Sequence, residues 1–327
     1  MAKGVSFLNL DISLVSHGHG ALVAQALQSL ANSLPGSALQ VRVLLTLNLP
    51  EPDLERSLQS RDWPFVLEFI RNPAPLGFGA NHNQAFALCR SPWFAVVNPD
   101  VFWSAGDVSF WQSLAQSNPS RTGCGSHSDV CGSTTLSAIG GAEGAESSRT
   151  GCGSHSDVCG STTLSAIGEG EGAESSRTGC GFYGDRVGLV CPLQLDADGL
   201  RQDFTRALMT PWGLLGRVWR RWRGVAPSGV AASVAEADWV NGACMFFRAQ
   251  AFAQVKGFDE RYFMYCEDTD ICLRLQLAGW SMQGVDWAVV HDARRNTGRS
   301  WRHLAWHLRS MLRLWLSGAF WRFVMRH

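Results

Sequence analysis

A chain of 327 residues with 28 basic and 28 acidic side chains carries no net charge, which argues against a nucleic-acid partner. With 46% apolar residues it can build one large α/β domain or two smaller ones, and no run reaches the about 18 apolar residues of a membrane span. Residues 1–20 do not read as a signal peptide, because Asp11 interrupts the apolar stretch, so a cytoplasmic placement is the default.

Residues 5–16 read as a buried strand, His17-Gly18-His19-Gly20 as a tight turn and residues 21–34 as a helix. Strand, glycine-containing turn and helix form the opening unit of a nucleotide-binding α/β fold. The His-x-His pair leaves two readings, a metal site or loop residues near a nucleotide, and no third ligand is evident. Residues 39–47 and 65–70 are the next strands. Residues 72–85 then form a loop before a helix, in which Gly77 and Gly79 allow close backbone approach and Asn81 and Asn83 supply donors and acceptors. Residues 93–97 are a central strand ending in Asn98-Pro99-Asp100. By composition that tripeptide is a turn. Its position at the carboxyl end of a buried strand is where open α/β sheets hold ligands. Asp100 can be the carboxylate a hard divalent cation needs when phosphate oxygens and water complete its shell.

From Ser120 the character changes. Arg121-Thr122-Gly123-Cys124-Gly125 recurs from Arg149 and again from Arg177, a period of 28 residues, with identical intervening sequence over 15 positions. Such identity points to a recent tandem duplication, and its Gly, Ser and Thr content predicts a disordered or weakly ordered surface insert over residues 120–181. Cys124, His127 and Cys131, repeated at Cys152, His155 and Cys159, are soft ligands, but their spacing matches no familiar zinc site. The remaining cysteines, Cys89, Cys191, Cys244, Cys266 and Cys272, are scattered among apolar residues as reduced core cysteines are.

Residues 187–195 form another strand, followed by a turn at 196–199. Residues 208–222 are rich in Trp, Leu and Arg, with Arg217, Arg220, Arg221 and Arg223 clustered. Trp239, ahead of Asn241-Gly242-Ala243, reads equally as a sugar-stacking ring or a core residue. His291 ends a strand, where a lone His is often structural. In residues 257–280 five carboxylates precede a helical pattern, with Ile271, Leu275 and Ala278 on one face and Gly279 as the stop. Glu267 and Asp268 fall at the helix start, where unpaired N–H groups favour ionised carboxylates. Asp268 or Thr269 then either caps the helix or Asp268 serves as a general base. In the tail, residues 299–321, Trp301, Leu304, Leu308, Met311, Leu312 and Trp315 share a helical face interleaved with Arg302, Arg309 and Arg313. That helix either packs on the domain or lies on an anionic membrane.

The run Gly257-Phe258-Asp259-Glu260-Arg261-Tyr262-Phe263-Met264-Tyr265-Cys266-Glu267-Asp268-Thr269-Asp270, followed by Cys272 and Arg274, resembles the acceptor-side motif of family 2 inverting glycosyltransferases, especially bacterial rhamnosyltransferase-like members. Leu76-Gly77-Phe78 with Asn81 and Asn83, Asn98-Pro99-Asp100, the strand of residues 238–248 and His291 resemble further elements of that family in the expected order. The resemblance implies an α/β GT-A-type nucleotide-diphospho-sugar transferase fold, with a mixed, mostly parallel central sheet flanked by helices. Residues 1–119 would be the nucleotide-sugar half, 120–181 an insert, 182–293 the acceptor-binding and catalytic half, and 294–327 a basic amphipathic helix. It further implies Asp268 as catalytic base with Glu267 beside it. Ser16, Gly77, Gly79, Asn81, Asn83, Asn98 and Asp100 would line the donor, and Trp239, Asn241, Gly242 and Ala243 the sugar. Asp100 and His291 would hold Mg2+ or Mn2+. The implied donor is a nucleotide-diphosphate sugar, dTDP-rhamnose by preference. The acceptor would be a glycan or a lipid-linked glycan, reached from the inner face of the cytoplasmic membrane. Leu47-Asn48-Leu49-Pro50-Glu51 departs from the family's base-recognising segment, which leaves the base open. The rival readings are a catalytically inactive binder on the same fold and a zinc-binding adaptor built on the repeats.

Overall fold

The computed structural model describes residues 8–34, 39–104, 111, 114, 186–223, 233–292 and 301–326. The insert expected over residues 120–181, with its cysteine and histidine repeats, lies outside the described residues.

Four parallel strands form the first half of the sheet: β1 (Leu8–Ser16), β2 (Leu39–Leu47), β3 (Val66–Arg71) and β4 (Trp93–Val97), in the order β3-β2-β1-β4. Helices α1 (Gly20–Ser33), α2 (Pro52–Gln59) and α3 (Phe78–Phe86) make the crossovers. Parallel strands covered on both faces carry nearly continuous apolar sequence. In β4 all five residues are buried, and they alternate between two cores: Trp93, Ala95 and Val97 on one side of the sheet, Phe94 and Val96 on the other. The buried charge Asp11 in β1 is tolerated because Arg42 sits opposite it in the β1–β2 register and donates to both carboxylate oxygens, at 3.0 and 2.7 Å.

The second half mixes directions. β9 (Cys244–Arg248) runs antiparallel to β4 and to β6 (Val187–Leu195). β10 (Ser281–His291) is parallel to β6, and β5 (Val101–Trp103) closes the sheet antiparallel to β10. β7 (Thr205–Arg206) and β8 (Trp239–Val240) form a separate short ribbon. The helices here are α4 (Pro211–Trp222), α5 (Ala249–Gln254), α6 (Glu267–Leu277), α7 (Trp301–Trp315) and α8 (Gly318–Val324).

The tail expected as one helix is two. The backbone breaks at Ser317, whose hydroxyl oxygen accepts from the Phe320 N–H at 3.1 Å and caps α8. Leu314, Phe320 and Phe323 close a small core with Tyr262 and Leu273, tying the tail to the loop before α6. Among the described residues no helix is long and apolar enough to cross a membrane. Cys89, Cys191, Cys244, Cys266 and Cys272 are free thiols, as their apolar surroundings imply.

Candidate active site

Strand register brings Asp100 and His291 together. His291 pairs with Val101 across β10 and β5, and the Asp292 N–H donates to the Asp100 carbonyl at 2.9 Å. The His291 tautomer follows from its partner. Gln202 Nε2 donates to the His291 carbonyl at 2.7 Å, which turns Gln202 Oε1 towards His291 Nδ1 at 3.0 Å. An amide oxygen only accepts, so Nδ1 carries the proton and Nε2 is a bare lone pair. That lone pair lies 3.7 Å from Asp100 Oδ1, a buried oxygen without a hydrogen-bond partner. Burial depresses the His291 pKa and raises that of Asp100, which keeps the ring neutral. Two acceptors facing one another across such a gap fit a shared cation, oxygen and imidazole both being acceptable to Mn2+ and the oxygen to Mg2+. Among the described residues no group of three or more His, Cys, Asp or Glu gathers into a complete site. A cation held here would therefore draw its remaining ligands from phosphate and water.

Asp268 is fixed at both oxygens. Its Oδ2 accepts from the Gly242 N–H at 3.2 Å and its Oδ1 from the Thr269 N–H at 2.7 Å. Gly242 leads into Ala243, whose carbonyl accepts from the Asn98 N–H at 2.8 Å. Asp268 and the Asn98-Pro99-Asp100 turn thus hang from adjacent points of one backbone junction. Asn241 steadies it, exchanging two side-chain hydrogen bonds with buried Gln194, at 2.7 and 2.9 Å. Asp268 does not cap α6. The cap position is Cys266, whose backbone is left-handed (φ 65°), as is that of Tyr265 (φ 73°). Left-handed non-glycine residues cost about 1–3 kcal/mol each and persist where surroundings over-determine them. Here the Tyr265 hydroxyl meets His303 Nδ1 at 2.8 Å, Ser310 Oγ donates to the Met264 carbonyl at 2.8 Å, and the Phe263 and Trp306 rings lie 5.1 Å apart.

Burial raises the Asp268 pKa, with the Thr269 and Gly242 N–H groups opposing. Glu267 is only 7% exposed and its Oε2 has no partner. Burial first, then the Asp268 charge, lifts its carboxyl well above the ordinary range. Like charges this close oppose ionisation of both carboxyls at once, so the two share their titration. No hydrogen bond joins the two, so the N–H groups of Gly242 and Thr269 orient Asp268.

The glycines of the donor loop act through closeness. A Cβ on Gly77 would lie 2.7 Å from the Phe263 carbonyl oxygen, which accepts from the Phe78 N–H at 3.0 Å. A Cβ on Gly79 would lie 2.7 Å from Phe258 Cβ. Both let the start of α3 press against the loop that leads to Asp268. Asn81 donates to the Leu76 and Gly77 carbonyls and accepts from Asn72. Asn83 binds the Phe258 backbone on both sides and Glu260. These amides shape the loop from within. Ser16, at the carboxyl end of β1, donates to Glu51 Oε1 at 2.6 Å, and the Gly18 N–H donates to the same oxygen at 3.1 Å. Trp239 is half-buried, its Nε1 on the Ala207 carbonyl and Arg206 over its ring, which favours a structural role. His17 meets the Asn48 amide at 3.1 Å and lies 6.5 Å, ring to ring, from His19.

Three residues at this edge escaped sequence reasoning. Glu51 sits in the segment that departs from the family pattern, and Gln202 follows a turn with no signal of its own. Gln194 did carry one, as a lone polar side chain inside the apolar run Val187–Leu195.

Residues 204–325 match the model of "Glycosyl transferase family group 2". The chain is 38% identical over 135 residues to the N-acetylglucosaminyl-diphospho-decaprenol L-rhamnosyltransferase of Mycobacterium tuberculosis (strain H37Rv), covering 38% of this chain and 44% of that protein. It is 44% identical over 79 residues to the rhamnosyltransferase WbbL of Escherichia coli (strain K12), covering 23% of this chain and 30% of that one. The chain thus spans less than half the length of these curated relatives. Its backbone is similar to that of GalNAc-T7 solved with UDP, GalNAc and Mn2+, with a TM-score of 0.52 and 11% identity over 94% of this chain and 47% of that one. The fold is the GT-A type that the motifs implied.

Proposed function

We propose that this chain, a rhamnosyltransferase-like protein of the glycosyltransferase family 2 type, is an inverting transferase that moves a sugar from a nucleotide-diphosphate donor to an acceptor hydroxyl. The observation that carries the reading is the carboxylate of Asp268, held at both oxygens and hung from the junction that also carries Asp100. A base needs a fixed position and a pKa brought up towards neutrality, and burial supplies the second.

In this reading the acceptor oxygen forms a bond to the anomeric carbon on the face opposite the leaving group, and Asp268 takes its proton. The bond from that carbon to the diphosphate oxygen breaks, and its electrons leave with the nucleotide. Asp100 and His291 would hold Mg2+ or Mn2+, which supplies charge to stabilise the departing diphosphate. Ser16, Gly77, Gly79 and Asn98 line the donor side at the carboxyl edge of the sheet. Asn241, Gly242 and Ala243 form the sugar side.

The relatives' names favour a rhamnosyl donor, for which dTDP-rhamnose is our preferred candidate, and the mycobacterial name favours a lipid-linked glycan as acceptor, which would suit a protein peripheral to the cytoplasmic membrane. Trp301, Leu304, Leu308, Leu312 and Leu316 on and after α7, and Trp212, Leu215, Trp219 and Trp222 on α4, are exposed, and residues 301–326 contain no acidic residue. The test is incubation of the full chain with dTDP-rhamnose, Mn2+ and a lipid-linked GlcNAc acceptor, with the product examined by NMR. Transfer with inversion at the anomeric carbon supports the reading. Retention of configuration, or no transfer or metal-dependent donor hydrolysis with any of a panel of sugar nucleotides, rejects it.

A further inference from the structure

Helix α7 has two apolar sides, and the fold uses only one. Trp306, Ser310 and Leu314 face the protein, against Phe263, the Met264 carbonyl and the small tail core. The other side carries Leu304, Leu308 and Leu312, continued by Leu316, all exposed. Between that stripe and the turn at Arg261 runs an open groove of about 640 Å³, walled by Ala305, Leu308, Leu312 and Leu316. Arg261, Arg309 and Arg313 rim it. A smaller hollow of about 290 Å³ continues it, sharing Arg261 and Arg309 and lined by Phe263 and Trp306.

The charge of the groove is unbalanced. Arg261 is paired with Asp259 at 2.6 Å, so it contributes shape and little net charge. Among the described residues Arg309 and Arg313 form no ion pair, and the segment around them offers no acidic side chain. Like charges four residues apart on a helix repel, so two such cations beside an apolar trough suit an external anion. A guanidinium pair matches phosphate oxygens, and the leucine wall matches a hydrocarbon chain. One ligand carries both.

We propose that this groove is the subsite for the diphosphate and first isoprene units of a polyprenyl-diphosphate-linked acceptor. Arg309 and Arg313 hold the diphosphate, and Leu308, Leu312 and Leu316 hold the chain. The assignment rests on the lipid-linked acceptor of the reading above. It fixes where that acceptor's lipid lies.

Two measurements on the full chain test it, with Arg309→Ala/Arg313→Ala as the variant and Arg309→Lys/Arg313→Lys as the charge-keeping control. In calorimetry with farnesyl diphosphate below its micelle concentration, the alanine variant should bind about tenfold or more weaker than wild type, as the loss of charge-assisted hydrogen bonds requires. The lysine variant should recover part of that loss. Inorganic pyrophosphate and farnesol should each bind wild type more weakly than farnesyl diphosphate. In turnover, KM for a farnesyl-diphosphate-linked GlcNAc should rise about tenfold in the alanine variant, while kcat and the sugar-nucleotide KM stay near wild type. Transfer to octyl N-acetylglucosaminide should be unchanged.

Unchanged farnesyl diphosphate affinity in a folded alanine variant overturns the proposal, as does pyrophosphate binding as tightly as the lipid. Loss of flotation with anionic vesicles while farnesyl diphosphate affinity is retained also overturns it, assigning the arginines to a bilayer surface. If neither wild type nor variant transfers sugar yet farnesyl diphosphate binding depends on the arginines, the proposed activity fails and the groove stands.

Discussion

The two halves of the sheet handle their buried carboxylates differently. In the parallel half the buried carboxylate of Asp11 is paired with Arg42 and Ser16 is matched to Glu51, and the buried polar atoms left without a hydrogen-bond partner, Thr46 Oγ1 and Asn72 Oδ1, are uncharged. In the mixed half Asp100 Oδ1 and Glu267 Oε2 are buried without hydrogen-bond partners, and Tyr265 and Cys266 hold left-handed backbone. A folded protein keeps few such features, and where they cluster chemistry is the usual reason. Among the described residues the first half leaves no buried carboxylate oxygen unpaired. The second is poised, and its loops are held in place by the first through Gly77 and Asn83.

The contrast can be broken from either side. Removing a group of the poised half should act on turnover: Asp100→Ala is expected to lower kcat about 100-fold or more while circular dichroism and Tm stay near wild type, the scale for a lost transition-state contact. A folded Asp100→Ala enzyme with normal kcat would detach that turn from the chemistry. Disturbing the frame should act on both stability and turnover. Gly77→Ala puts a Cβ 2.7 Å from the Phe263 carbonyl, so the loop must shift, at about 1–3 kcal/mol of overpacking. Chemical denaturation and steady-state kinetics on that variant should show both losses, and a silent variant would mean that the loop tolerates displacement.

Glu267→Gln should show a smaller, pH-dependent gain. The folded-state pKa of Glu267 is raised well above its ordinary 4.5 by burial and by Asp268. A raised carboxyl pKa gives stability that is complete below the unfolded value and lost as pH rises through the folded one. Every tenfold difference in proton affinity between the folded and unfolded chains is worth about 1.4 kcal/mol, so the glutamine variant should unfold at higher temperature than wild type at pH 8 and not at pH 4. Equal Tm differences at both pH values would contradict a raised Glu267 pKa. The smallest effect belongs to the repeat: deleting residues 121–148, one 28-residue unit, should leave kcat and Tm unchanged. Loss of turnover in a folded deletion variant would refute its role as a tolerated insert.

Much of this was legible where a pattern is local. Residues 39–47, 93–97 and 187–195 announce themselves as strands because burial makes their sequences mostly apolar. Asp268, Asp100 and His291 stand out as candidates from ordered motifs alone. The Asp100–His291 approach was not, because it depends on the β5–β10 register. Gln202 was hidden for the same reason, its partner being far along the chain. Helix α2 was missed although Pro52 at its first turn and Asp53 signal a start. The tail's two apolar sides merged into one in sequence. Trp315 turned inward to the Met209 carbonyl, while Leu304, Leu308 and Leu312 stayed in solvent. Which side a helix buries is decided by its neighbours.

The most direct test is the turnover of Asp268→Asn, which keeps the shape of the side chain and removes its basicity. A fall in kcat of about 10²–10⁴-fold, with the sugar-nucleotide KM and the fold preserved, is the expected result. A well-folded Asp268→Asn protein transferring sugar at close to the wild-type rate would show that the proton leaves by another route.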